Sequence, residues 1–186
     1  GISTFNDYSI DYFKKVLMSD NFPIDLIPAE ENEDDENGDF DIYKIKEGVA
    51  EGYLEGGNLS IIISMLGTPY DIDTKDKIVF IEEVGEEPYR IDRMLTHMIE
   101  AGKFDNAAGV ALGVFKGCES ERDDPGYKNS FTLKEVLRDR LEGLGIPVIY
   151  GLSFGHIENK YTLPVGTKAR LDVNNKKLTL LESAVK

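Results

Sequence analysis

Short apolar runs alternate with helical patterns through the middle of this 186-residue chain, and this alternation constrains its fold most strongly. Runs of strand length extend over Ile78 to Ile81, Ala107 to Phe115 and Pro147 to Tyr150. Helical patterns lie between them, from Pro88 to Gly102, with proline in the first turn, and from Thr132 to Leu144. Strands that alternate with helices indicate an α/β domain, with a mixed sheet or small barrel and flanking helices.

The two ends of the chain predict antiparallel pieces around this centre. Asp7 to Ser19 places apolar residues at helical spacing behind a polar start, which predicts a short amphipathic helix. Ile42 to Gly56 alternates loosely as a strand does, and the segment LSIIISMLG that follows Asn58 predicts an apolar helix. Lys160 to Leu181 predicts two or three strands joined by Asn174-Asn175.

Composition and charge exclude several classes of partner. The net charge of −14 and a pI near 4.6 argue against nucleic acid and anionic membranes, because a phosphate-binding surface needs clustered Lys and Arg. A neutral or cationic partner is expected instead. No apolar run approaches the roughly 20 residues of a membrane span, and the lone Cys118 cannot form an internal disulfide. We therefore expect a cytoplasmic protein with one compact domain.

The acidic run from Glu30 to Asp41 resembles part of a calcium-binding loop. Its sixth position is Gly38, as such loops require, but the twelfth is Lys44 instead of the glutamate that completes the calcium shell. We predict a mobile, solvent-exposed turn without a specific metal, because so many acids repel one another and bury little apolar surface. Two histidines and one cysteine give no metal-ligand spacing elsewhere, and no cofactor is expected.

The segment Gly151 to Gly155, GLSFG, matches the G-x-S-x-G pattern of a nucleophile elbow. An elbow needs a helix directly after its serine, whereas Ile157 to Pro164 has the pattern of a loop and a strand. The main acidic cluster also precedes Ser153, which reverses the order found in elbow enzymes. We therefore predict that Ser153 is a turn residue, and the chain shows no convincing nucleophile.

Two side chains nevertheless suggest acid/base chemistry. Glu82 directly follows the apolar run IVFI, at the carboxyl end of a strand, where α/β sheets place ligands. The alternative for this carboxylate is an ion pair with Arg90 or Arg93. His156 follows a strand and a glycine-flanked turn, from which a side chain can project into a cleft. The hypothesis is an acid/base pair that activates a serine located elsewhere.

At these residues the chain resembles the C-terminal domain of the serine LD-carboxypeptidases, a family that includes the microcin immunity peptidases. The resemblance covers Ala50 to Leu181 and rests on YLEGGNLSIIISMLGTPY, IVFIEEVGEEPYRIDRML, GLSFGH and TLPVG. It implies a swivelling β/β/α architecture. It also implies a Ser–His–Glu triad that removes the terminal D-alanine from murein tetrapeptide during cytoplasmic peptidoglycan recycling.

The resemblance assigns the triad residues one by one. It implies that Glu82 is the triad glutamate and His156 the triad histidine, while the serine lies in an N-terminal domain that this chain lacks. Residues 1–186, which begin Gly-Ile-Ser, are then expected to be a C-terminal domain cut from a longer two-domain peptidase, with residues 1–49 as a lead-in. The implied partners are the N-terminal domain, a murein peptide and a second copy in a homodimer.

Several alternatives remain open from the sequence. Glu86 could meet a cationic substrate group and Arg90 could bind substrate, but a solvated or ion-paired helix start explains both. The substrate could instead be a peptide–nucleotide amide, as in microcin immunity. A non-catalytic peptide-binding or assembly domain is the rival from another class, and Glu82 and His156 need not then be adjacent. The catalytic reading predicts that these two side chains lie within or near hydrogen-bond distance.

Overall fold

The computed structural model describes residues 5–29, 41–119 and 130–185. The predicted acidic turn therefore lies, apart from Asp41, outside the described residues and stays a prediction. None of the helices in the described ranges has both the length and the apolar character needed to cross a membrane. The helices are α1 (Asp7–Met18), α2 (Leu59–Met65), α3 (Pro88–Glu100) and α4 (Leu133–Leu141), with a short 3-10 helix, Glu142–Leu144, after α4.

The strands are β1 (Ile24–Leu26), β2 (Tyr43–Lys46), β3 (Val49–Asn58), β4 (Lys77–Val84), β5 (Gly109–Lys116), β6 (Val148–Leu152), β7 (Lys168–Asp172) and β8 (Lys177–Leu180). The predicted strands occur in the expected order along the chain, and β1 was not among them. The segment from Ile42 to Gly56, whose pattern predicted sheet, forms β2 and most of β3. The predicted run from Ile78 to Ile81 was too short, because β4 continues through two glutamates to Val84.

All eight strands form a mixed sheet in the order β1-β8-β7-β3-β4-β5-β6-β2. Strands β3 to β6 are parallel neighbours, and α2, α3 and α4 connect them in turn. The other pairings are antiparallel, as expected for the chain ends. The α/β class with a mixed sheet is confirmed, and the pairings run from one edge strand to the other instead of closing a small barrel.

Two apolar layers cover the central strands. Val79 and Ile81 pack with α2, α3 and α4 on one face of the sheet. Ile78 and Phe80 pack with α1 and the antiparallel strands on the other face. Because both faces are buried, β4 contains the continuous apolar run IVFI instead of alternating apolar and polar residues.

Short polar side chains begin α1, α2 and α4, whereas α3 begins with Pro88 and has no side-chain cap. The side chain of Asn6 accepts a hydrogen bond from Ser9 N at 3.0 Å and caps α1, and Asn58 caps α2 through Ile61 N at 3.2 Å. Thr132 and Glu135 form a reciprocal capping box at the start of α4. These caps explain why the polar residues stand directly before the apolar helical patterns.

Candidate active site

Glu82 and His156 meet at the carboxyl end of the parallel strands. Glu82 Oε2 lies 2.8 Å from His156 Nδ1, so the predicted proximity of the two side chains is confirmed. The carboxylate is largely enclosed, with its side chain 11% exposed, whereas the imidazole is 58% exposed. The contact engages Nδ1, so Nε2 is the ring nitrogen left to exchange protons with a group outside the pair.

The path of the chain after β6 explains this contact. Strand β5 separates β4 from β6, so the segment that carries His156 has to cross the end of β5. Phe154 O accepts a hydrogen bond from Val114 N at 3.1 Å at this crossing. A Cβ atom on Gly113 would lie only 2.5 Å from Phe154 O, so the crossing requires glycine in β5.

Gly155 brings the histidine onto the carboxylate. Its φ is +118°, a conformation that L side chains rarely adopt, and a Cβ there would lie 3.1 Å from both Glu82 Oε2 and Val114 O. The sequence pattern indicated Gly155 only as part of a turn, and it gave no role to Gly113. A glycine inside an otherwise apolar strand pattern is the signal that could have indicated a close backbone approach.

Glu83 occupies the opposite face of the sheet from Glu82, because successive strand residues alternate. It is buried, and its carboxylate accepts hydrogen bonds from Asn58 Nδ2 at 2.8 Å, from Ser60 N at 2.8 Å and Oγ at 2.7 Å, and from Val84 N at 2.9 Å. Burial raises the pKa of Glu83, but the hydrogen bonds from Ser60, Val84 and Asn58 outweigh it and hold the pKa below its ordinary value. This carboxylate anchors α2 to β4.

Ser153 is buried and lies at a bend directly after β6. Its Oγ accepts a hydrogen bond from Ala29 N at 2.8 Å. Residues 153–167 form turns and irregular backbone, so no helix follows the serine as an elbow would require. The prediction that Ser153 is a turn residue is confirmed.

Comparison with known proteins identifies the family. Residues 51–171 match the LD-carboxypeptidase C-terminal domain, which is well over half of the chain. The chain belongs to the LD-carboxypeptidase family. The resemblance seen in the sequence is therefore confirmed.

This LD-carboxypeptidase domain is similar to relatives with two kinds of name. It is 41% identical over 129 residues to the Probable murein peptide carboxypeptidase of Bacillus subtilis (strain 168), a match that covers 69% of the chain and 39% of the relative. It is 30% identical over 139 residues to the Microcin C7 self-immunity protein MccF of Escherichia coli, covering 73% of the chain and 38% of that protein. The chain thus spans about two fifths of these relatives.

Solved structures confirm the fold of the LD-carboxypeptidase domain. Muramoyltetrapeptide carboxypeptidase from Oxalobacter formigenes is similar with a TM-score of 0.73 and 30% identity, covering 96% of this chain and 55% of that one. Wild-type MccF without ligand gives a TM-score of 0.81 at 21% identity, covering 95% and 56%. The family match begins at residue 51, whereas these structural matches also cover most of the residues before it.

The two side chains proposed from the sequence to bind substrate lie at the start of α3. Arg90 Nη1 lies 3.3 Å from Glu86 Oε2, and Arg90 Nε donates to Tyr89 Oη at 3.0 Å. This favours the ion-paired alternative for both residues, and their role in substrate binding stays a prediction. Glu86 and Arg90 also line a cavity of about 330 Å³ with Ser60, Ile63, Arg93, Met94 and His97.

The alternative for Glu82, an ion pair with Arg90 or Arg93, was wrong, because its partner is His156 instead of an arginine.

The LD-carboxypeptidase domain therefore presents a carboxylate–imidazole pair with an exposed ring. Between described residues, no hydroxyl or thiol hydrogen-bonds to His156. The same ranges contain no group of three or more His, Cys, Asp or Glu side chains arranged to hold a metal. A carboxylate that orients an imidazole is the part of a triad that activates a nucleophile.

Proposed function

We propose that this domain provides the histidine and the glutamate of a Ser–His–Glu triad in an LD-carboxypeptidase. The substrate is murein tetrapeptide, from which the enzyme removes the terminal D-alanine in the cytoplasm during peptidoglycan recycling. The serine belongs to an N-terminal domain outside this chain. The observation that carries the proposal is the 2.8 Å contact from Glu82 Oε2 to His156 Nδ1 beside an exposed imidazole.

Each group has one task in the reaction. Glu82 accepts the hydrogen bond from Nδ1–H, which holds the imidazole in the tautomer with a free Nε2 and stabilises the imidazolium that forms. His156 Nε2 takes the proton from the serine as its oxygen attacks the carbonyl carbon of the scissile amide. The same nitrogen then gives that proton to the departing amine of D-alanine. In the second half of the reaction, Nε2 takes a proton from the water that attacks the acyl-enzyme and gives it to the departing serine oxygen.

The names of the relatives bear on the substrate. The relative at 41% identity and the structure at 30% identity are both named as carboxypeptidases of murein or muramoyl peptides. MccF, at 30% identity, supports a second candidate, a peptide–nucleotide amide. Murein peptide is the proposed substrate because the relative named for murein peptide shares 41% identity with this chain, whereas MccF shares 30%. We extend the proposal to a homodimer, as the family resemblance implies.

The test uses the full-length protein that contains this chain, with release of D-alanine from murein tetrapeptide as the readout. His156→Gln should lower kcat/KM by about 10⁴-fold or more, and Glu82→Gln by roughly 10³- to 10⁴-fold. Glu51→Gln is the control, because Glu51 is exposed on β3 and does not line the cavity that Glu86 and Arg90 share. This control should stay within about twofold of the natural enzyme.

Three outcomes would contradict the proposal. Unchanged turnover by His156→Gln would remove the histidine from the mechanism. Cleavage of a peptide–nucleotide amide without release of D-alanine from murein peptide would favour the microcin-type alternative. Binding of murein peptide without turnover of either substrate by the full-length protein would favour a non-catalytic domain.

A further inference from the structure

His156 lies on an irregular segment, residues 153–161, which we call the histidine loop. Its ends are closed by a hydrogen bond from Tyr161 N to Ser153 O at 2.9 Å. Between these ends the backbone forms bends, and the hydrogen bond from Val114 N to Phe154 O ties only the start of the loop to the sheet. Beyond that crossing, the position of the imidazole depends on the side chains that hold the tip of the loop.

The first turn of α1 holds that tip. Ser9 Oγ donates to Glu158 O at 3.2 Å and accepts from Lys160 N at 3.2 Å, so one hydroxyl connects the backbone on both sides of Asn159. The side chain of Asn6 donates to Asn159 Oδ1 beside it. Ser9 itself is fully buried. These contacts join residues that are about 150 positions apart in the sequence.

The helix itself does not need this hydroxyl. Asn6 already caps the backbone N–H of Ser9, and alanine has a higher helix propensity than serine. A buried hydroxyl is unfavourable unless it is hydrogen-bonded, and here both of its partners belong to the histidine loop. Removing it would leave two backbone groups of the loop without their partner.

We propose that Ser9 is a positioning residue for His156. By holding residues 158 and 160, it keeps the histidine loop in the conformation that places Nδ1 on Glu82. The catalytic consequence rests on the proposed function, whereas the positioning itself can be measured without turnover. A residue outside the segment that the family match covers thus contributes to the site.

The experiment uses the 186-residue chain labelled with ¹⁵N, and it compares Ser9→Ala with the unmodified chain. The chain has only two histidines, so the ring nitrogens of His156 can be followed with His97 as an internal reference. At about pH 9, where imidazoles are neutral, the unmodified chain should show His156 mainly in the Nδ1–H tautomer. Ser9→Ala should shift both ring nitrogens towards the averaged values of a free imidazole. Amide exchange of residues 156–160 should rise by about tenfold or more.

Two further variants keep the result interpretable. Thr179→Val is the matched control, because it removes another buried hydroxyl, one that donates to Asp25 Oδ1 at 2.9 Å and does not contact the loop. It should leave the His156 nitrogens unchanged. Asn159→Ala removes the neighbouring contact without altering α1, and it should shift His156 in the same direction as Ser9→Ala but less. If Ser9→Ala does not fold, Ser9→Cys, which replaces the hydroxyl by a weakly hydrogen-bonding thiol of similar shape, is measured in its place and should give the same shift.

The proposal is overturned if Ser9→Ala leaves the ring nitrogens and the loop exchange unchanged, or if Thr179→Val changes them equally. In the full-length enzyme, Ser9→Ala should lower kcat about tenfold while KM stays within twofold, because the loop positions the base and not the substrate. If the natural enzyme releases no D-alanine, the proposed function fails, and the ring-nitrogen measurement still decides the role of Ser9.

Discussion

At the scale of single residues, Glu82 and Glu83 show how adjacent identical side chains acquire different roles. Strand alternation sends one to the histidine loop and the other to the start of α2. The sequence predicted that this pair ends an apolar run, and the family resemblance selected Glu82. Pattern alone could not select it, because its partner His156 lies 74 positions away and is brought near only by the tertiary fold.

Replacing Glu83 by glutamine should destabilise the fold. At pH 7 we expect Glu83→Gln to lower the free energy of unfolding by about 1–3 kcal/mol, because the amide group would face the donors of Asn58 and Ser60. The folded-state pKa of Glu83 is lowered, so its stabilisation is complete above the ordinary value of 4.5 and is lost as pH falls through the lower folded value. The difference between variant and natural chain should therefore shrink below about pH 4.5.

Urea unfolding at pH 7 and at pH 3 measures this difference. Glu51→Gln, at an exposed position of β3, is the control and should change the free energy of unfolding by less than about 0.5 kcal/mol. If Glu83→Gln lowers the free energy of unfolding equally at both pH values, Glu83 is not ionised in the folded chain at pH 7.

At the scale of elements, the sequence predicted best those helices and strands whose apolar residues recur at a clear helical or strand spacing. The buried strand β4 extends through its two glutamates, because Asn58 and Ser60 satisfy the second carboxylate from α2. No local pattern shows such a partner. The histidine loop was predicted as a turn followed by a loop and a strand over Ile157 to Pro164. The strand was wrong, since this segment is irregular and its shape depends on the crossing over Gly113 and on contacts from α1.

The crossing leaves little room for a side chain at Gly155 in the histidine loop. Gly155→Ala should lower the free energy of unfolding by about 2–4 kcal/mol, from an unfavourable φ and from a Cβ that presses on Glu82 and on Val114 O. Gly166→Ala is the matched control, because Gly166 also has positive φ, +77°, but open space around the added carbon. It should cost about 1 kcal/mol.

Thermal or urea unfolding gives these free energies, and the ring nitrogens of His156 report the contact with Glu82. Gly155→Ala should change those nitrogens, whereas Gly166→Ala should not. Equal losses of stability with unchanged His156 signals would show that the loop tolerates a side chain at Gly155.

At the scale of the whole molecule, the alternation of strands and helices predicted the parallel centre, and the strand-like ends predicted the antiparallel flanks. The order in which the flanking strands pair was not predictable, since β1 joins β8 and β2 joins β6 between segments that lie far apart in the sequence. The same is true of α1, whose role beside the histidine loop depends on contacts between residues far apart in the chain.

The isolated chain should have no LD-carboxypeptidase activity, because a base without its nucleophile cannot form an acyl-enzyme. Ser153, the serine in the elbow-like segment, is buried and its Oγ is engaged by Ala29 N at 2.8 Å. Incubation of the purified chain with murein tetrapeptide should release no D-alanine above the rate without protein, whereas the full-length protein should release it. Turnover by the isolated chain that Ser153→Ala abolishes would show that the nucleophile lies within these 186 residues.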